Sequence, residues 1–141
     1  MSPAEESIAA ANLAFYKALE ARDLGRMERV WMQEESTSCI HPGWHRIDGW
    51  TEIRRSWQNI FASSRPWTVS CEQVRVSCEG ELAWVTCVEA ISPFGTEGAD
   101  ATARMQATNV FRRENGEWRM IHHHASPSRT EESAAEEETI N

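Results

Sequence analysis

All five histidines of the 141-residue chain fall in two short stretches, "CIHPGWHRIDGW" (39–50) and "WRMIHHHASP" (118–127). An unperturbed imidazole has a pKa of about 6.5, close to that of a working general acid or base. His41, His122 and His124 are therefore the acid–base candidates. Asn109, on a strand that pairs with the histidine strand, could orient a ring or donate to an oxyanion. Trp31, Trp44, Trp50 and Trp57 offer flat apolar walls for a ring-shaped ligand, Met105 and Met120 offer pliable ones, and His45 stands at the rim. The tryptophans serve the core first and a ligand second. His123 is expected to be exposed or at a dimer contact.

Three imidazoles with one open position would suit zinc, but no H-x-x-x-H on a helix supports that set. The His41–His45 step crosses Pro42-Gly43, so no metal site is assigned. The cysteines at 39, 71, 78 and 87 show no C-x-x-C spacing and read as buried thiols. Neither a P-loop nor a dinucleotide fingerprint is present, so no cofactor is expected.

These side chains need elements to hold them. Ile8, Ala11, Phe15, Ala18 and Leu19 recur at helical spacing after Ser2-Pro3 and two early glutamates, which favour a helix start. Asp23 can cap a second, shorter helix carrying Leu24, Met27, Val30 and Trp31. "STSCIH" reads as a short strand ending at Pro42. Asp48 or Gly49 can cap a third helix, whose stripe is Trp50, Ile53, Trp57, Ile60 and Phe61. From Trp67 to Pro127 the pattern predicts four β-strands. The last two join at Asn115-Gly116, the strongest short hairpin signal.

That turn sets a register. Glu114 pairs with Glu117, Phe111 with Met120, Asn109 with His122 and Ala107 with His124. Alternation then puts Met105, Ala107, Asn109, Phe111, Met120, His122 and His124 on one face, and His123 on the other. The first face runs from apolar to polar, as a core opening into a pocket would. A bulge would shift this register.

The chain carries 14 basic and 22 acidic residues, a net charge of −8. This argues against a nucleic-acid surface or an anionic membrane. No apolar run reaches the ~20 residues of a membrane span. The start, "MSPAEESIAAANLAF", has no basic region of a signal peptide, and the expected location is cytoplasmic. From Ser128, "SRTEESAAEEETIN" is glutamate-rich and almost devoid of large apolar residues, so it is expected to be a disordered acidic tail after a domain at 1–127. Helices on one face of a curved antiparallel sheet describe an α+β fold.

"SCIHPGWHRIDGWTEIRRSWQNIF", "ELAWVTC" and "ATNVFRRENGEWRMIHHHASP" together resemble the SnoaL-like branch of the nuclear-transport-factor-2-like superfamily, which includes ketosteroid isomerases and polyketide cyclases. The resemblance covers roughly residues 5 to 127. It implies a cystatin-like cone or roll, with three N-terminal helices on a strongly bent antiparallel β-sheet around an apolar pocket. It also implies a homodimer packed through the sheet. The implied function is isomerase-, cyclase- or dehydratase-like acid–base chemistry on a small apolar carbonyl compound. The alternative is a non-catalytic ligand-binding or dimerisation module, since fold does not fix function. Relatives use a carboxylate for the proton transfer. Here Asp48 reads as a helix cap, and Glu89 lies in a strand whose face the pattern leaves unassigned.

Overall fold

The structure is a computed structural model, and it describes residues 1–95 and 101–129. Helix α1 spans Pro3–Ala21, and the Ser2 hydroxyl accepts from the Glu5 amide at its start. Helix α2 spans Leu24–Val30 and is capped by Asp23, which accepts from the Arg26 amide. Two short strands follow, β1 at Ser38–Ile40 and β2 at Ile47–Asp48, before α3 at Trp50–Ser63. Gly49 caps α3 with φ 86°, a backbone conformation that favours glycine. Its amide donates to the Thr37 carbonyl, and the Trp50 amide donates to that of Glu34, so the helix start is tied to the segment before β1.

The four long strands are β3 (Trp67–Glu79), β4 (Leu82–Pro93), β5 (Ala103–Glu114) and β6 (Glu117–Pro127). They form an antiparallel meander, as the pattern predicts. The sheet itself has six strands in the order β2-β1-β6-β5-β4-β3. Because β1 runs parallel to β6, the sheet is mixed rather than purely antiparallel. The β2 pairing was not foreseen; it turns part of the expected 42–49 connection into a hairpin with β1.

Two irregularities bend the sheet. One lies in β3 between Glu72 and Arg75, where Gln73 has φ 52°. The other lies in the β5–β6 ladder, where Phe111 pairs with Met120 but Val110 pairs with His122. Ile121 is the extra residue of this bulge. Asn115 and Gly116 both have positive φ, and the hairpin starts in the expected register. Beyond the bulge it does not: Asn109 faces His123 and Ala107 faces Ala125.

The core lies between the helices and one sheet face. Ile8, Phe15, Tyr16 and Leu19 of α1 meet Ile53 and Trp57 of α3, with Ala83, Val85, Ala107, Phe111, Met120 and Ala125 of the sheet. Among the described residues no helix is long and apolar enough to cross a membrane. The tail expected from Ser128 lies outside the described residues from position 130 onward.

Candidate active site

Apolar side chains fill most of the core, but one polar cluster sits inside it. Alternation along β4 sends Ala83, Val85, Cys87 and Glu89 inward. The bulge at Ile121 sends His123 inward from β6, opposite Asn109 of β5. Helix α1 adds Asn12 and Tyr16, four residues apart and so on one face. Glu89 is 3% exposed, His123 2% and Asn109 0%. Polar groups this deep persist only when they are hydrogen-bonded.

Their bonds form one consistent set. The Asn109 amide nitrogen donates to Asn12 Oδ1 (2.9 Å) and to the Tyr16 hydroxyl oxygen (3.1 Å). Asn109 Oδ1 is thereby left as an acceptor, and His123 Nδ1–H donates to it at 2.5 Å. That fixes the tautomer of His123 and leaves a lone pair on Nε2, 3.8 Å from Glu89 Oε2. The Tyr16 hydroxyl donates to Glu89 Oε2 at 2.7 Å. It also lies 3.3 Å from the Cys87 sulfur, and the Asn12 amide donates to Cys71 Sγ at 3.6 Å.

Burial sets the protonation states. It pushes the Glu89 carboxyl from 4.5 up to about 7, against the lowering effect of the Tyr16 bond. Burial also holds His123 well below its ordinary range, reinforced by the other histidines. Near neutrality the pair is a carboxyl that can gain or lose a proton beside a neutral imidazole. The Tyr16 hydroxyl is raised above its usual range, first by burial and then by Glu89, so it stays a hydrogen-bond donor.

The other histidines do different jobs. His41 is 3% exposed. Ser56 donates to the Ile53 carbonyl (2.6 Å), so His41 Nε2–H donates to Ser56 Oγ (2.8 Å). Burial lowers His41 to about 4. Its ring packs edge-on against Trp57 at 4.5 Å and Trp44 at 4.8 Å. His122 and His124, expected inward, lie on the outer sheet face, and His123, expected outward, lies inside. The physical reason is the Ile121 bulge, which inverts the alternation after Met120. His122 is half-buried, 2.7 Å from the Ser38 hydroxyl, and His124 is exposed. His45 is exposed in the β1–β2 loop.

Of the expected ligand walls, Trp31 and Met120 are fully buried core, and Trp44 is half-exposed. Trp57 is buried near the cluster, with its ring 6.2 Å from that of His123. Its indole N–H is a buried donor without a partner among the described residues. Met105 is half-buried and pairs directly with Glu89 across β4–β5. Asn109 and Met105 thus meet the cluster, whereas His122 and His124 do not. Glu89 and Tyr16 were not singled out as site residues. The signal for Glu89 was an acidic residue inside the apolar strand "LAWVTCVEAI". Tyr16, the chain's single tyrosine, stands one position from Phe15 on the predicted core stripe.

An apolar depression of about 570 Å³ is lined in part by Trp67, Ile91, Pro93, Ala101 and Ala103. Ile91 and Ala103 are paired neighbours, one alternate position beyond the Glu89–Met105 pair on the same face. The depression therefore lies at the next inward position of β4 beyond Glu89.

A family model described as the SnoaL-like domain matches residues 8–130. The chain is 34% identical to a proposed dehydratase of the nuclear-transport-factor-2-like family from Streptomyces avermitilis, with a TM-score of 0.80 over 89% of this chain and 96% of that one. It is 33% identical to a proposed calcium/calmodulin-dependent protein kinase type II association domain from Thiobacillus denitrificans, with a TM-score of 0.78 over 86% and 94% of the two chains. A protein with a cystatin-like fold from Caulobacter vibrioides shares the architecture at 14% identity, with a TM-score of 0.74 over 96% of each chain. Among curated proteins the F-box protein SKIP8 of Arabidopsis thaliana is 30% identical over 120 residues, which is 85% of this chain. The chain spans about half the length of that relative (49%). With its three helices on a bent sheet and a matching family model over most of its length, the chain belongs to the SnoaL-like family of the nuclear-transport-factor-2-like superfamily.

Proposed function

We propose that the chain is an acid–base enzyme acting on a small apolar carbonyl or hydroxycarbonyl compound, in the isomerase, cyclase or dehydratase class. The substrate would enter through the Trp67–Ile91–Ala103 depression and meet Glu89. The observation that carries this reading is the buried Glu89 carboxyl, held near neutrality, bonded to Tyr16 and facing the free lone pair of His123. A carboxylate of that acidity can take a proton from carbon next to a carbonyl, and its acid form can return one to oxygen. The unpartnered Trp57 N–H is a donor for an oxygen that gains charge. The similarity to a proposed dehydratase supports the class, because loss of water beside a carbonyl needs one base and one acid. His41 and Asn109 keep a share in the proposal as the groups that fix the surrounding rings. His122 and His124 would need a site on the outer face.

The test is solvent-deuterium incorporation at carbon next to the carbonyl, over a panel of small β-hydroxy and unsaturated ketones, together with native mass spectrometry for a co-purifying ligand. Exchange that is lost in Glu89→Gln supports the reading. No exchange across the panel and no bound ligand overturns it.

A second reading, a self-associating module, is favoured by the likeness to an association domain and by Leu82 and Trp84, which remain 42% and 36% exposed on the sheet's outer face. Sedimentation at micromolar concentration tests it: a dimer that dissociates in Trp84→Glu is expected, and a monomer removes it. Thiols without disulfide spacing support a cytoplasmic location, which cell fractionation would check.

A further inference from the structure

We propose that Cys71 and Cys87 form a peroxide-sensitive thiol pair whose closure to a disulfide disconnects the Tyr16–Glu89 cluster. Cys71 stands directly opposite Glu89 in the β3–β4 ladder, and Cys87 lies two residues before Glu89 on the same inward face. The two residues are therefore diagonal neighbours across adjacent strands. The irregularity beginning at Glu72, with Gln73 at φ 52°, turns β3 immediately after Cys71.

Each sulfur also touches the cluster. Asn12 donates to Cys71, and Cys87 lies against the Tyr16 hydroxyl. The Tyr16 proton goes to Glu89, so the Cys87 S–H donates to the Tyr16 oxygen. Donors therefore run in one direction, from Cys87 through Tyr16 to Glu89. A small oxidant reaches the pair at half-buried Cys71, because Cys87 is buried.

The chemistry balances with hydrogen peroxide as oxidant. One sulfur, as thiolate, attacks a peroxide oxygen; an S–O bond forms, the O–O bond breaks, and the displaced hydroxide takes a proton to leave as water. The second sulfur then attacks the resulting sulfenic sulfur; the S–S bond forms, the S–O bond breaks, and a second water leaves. Two thiols are oxidised and one peroxide is reduced. The product has no S–H for the Tyr16 oxygen.

The experiment treats the full chain with hydrogen peroxide, denatures it, alkylates free thiols with N-ethylmaleimide and measures intact mass. The reduced chain takes four alkyl groups, one for each of Cys39, Cys71, Cys78 and Cys87. The expected oxidised chain takes two, its peptide map shows Cys71 joined to Cys87, and Cys71→Ser keeps all three remaining thiols alkylatable. Four alkyl groups after treatment, a link to Cys39 or Cys78, or oxygen addition without a link would each overturn the proposal. The readout needs no substrate, so its failure leaves the acid–base reading of Glu89 untouched, and the reverse holds as well.

Discussion

Adjacent histidines on strand β6 live in opposite worlds. His123 is sealed against Asn109 and Glu89, with its tautomer fixed and its charged form suppressed. His122 and His124 face outward, their rings 6.3 Å apart, with Ser38 as a hydrogen-bonding neighbour of His122. The residue type is the same and the positions are consecutive. What differs is the side of the sheet, and one extra residue at Ile121 decides it. Chemical capacity in this fold thus follows from which face a side chain occupies, more than from the run of histidines itself.

The contrast can be broken by mutation. His123→Ala should have the largest effect, since it leaves a cavity and strands Asn109 Oδ1. The expected cost is about 3 kcal/mol in urea unfolding, with loss of any turnover. The same change at His124 should move stability by less than about 0.5 kcal/mol. Equal costs at the two sites would end the distinction.

Glu89→Gln should flatten part of the pH dependence of stability. The folded-state pKa of Glu89 is raised from 4.5 to about 7, so the folded chain holds a proton that the unfolded chain has lost between those values. Its contribution is complete below about 4.5 and disappears as the pH rises through 7, amounting to about 3 kcal/mol. Unfolding midpoints measured from pH 4 to 8 should therefore fall less steeply in the variant. A slope that the substitution leaves unchanged would remove Glu89 as the titrating group.

His41 sharpens the comparison by acting with the opposite sign. Its folded-state pKa lies at about 4 instead of 6.5, so its contribution is present above 6.5 and is lost as the pH falls toward 4. His41→Asn should make stability less sensitive to acid in that window. Smaller than the effects at His123, Glu89 and His41 is that of His122→Ala, which removes one half-buried bond to Ser38 and should cost about 1 kcal/mol, as chemical denaturation would show.

Much of the scaffold is legible in the residues. The caps at Ser2 and Asp23, the Gly49 helix start and the four long strands follow from local rules, and the structure places each as read. The site is less legible. The hairpin register holds from Glu114 to Phe111 and fails beyond it, because nothing in "EWRMIHHHASP" marks Ile121 as the residue to be left unpaired. Glu89 was visible as an acid among apolar neighbours, but its face depends on pairing with β3 and β5. Tyr16 becomes a site residue only because α1 lies across that face. A bulge and a helix docking angle are tertiary facts, and local pattern does not carry them.

The parallel pairing of β1 with β6 joins residues 38–40 to residues 122–124, whereas the hairpins of the meander join near neighbours. Closing so long a span costs more chain entropy than closing a hairpin, which favours an order of assembly with the meander first. In that order Glu89 begins life wet and ordinary, and becomes a weak acid only when the first helix lays Tyr16 across it. Pulsed isotope labelling during refolding should find the amides of β1 protected after those of β5 and β6, and the cluster's unusual acidity waits in the same way on the docking of α1.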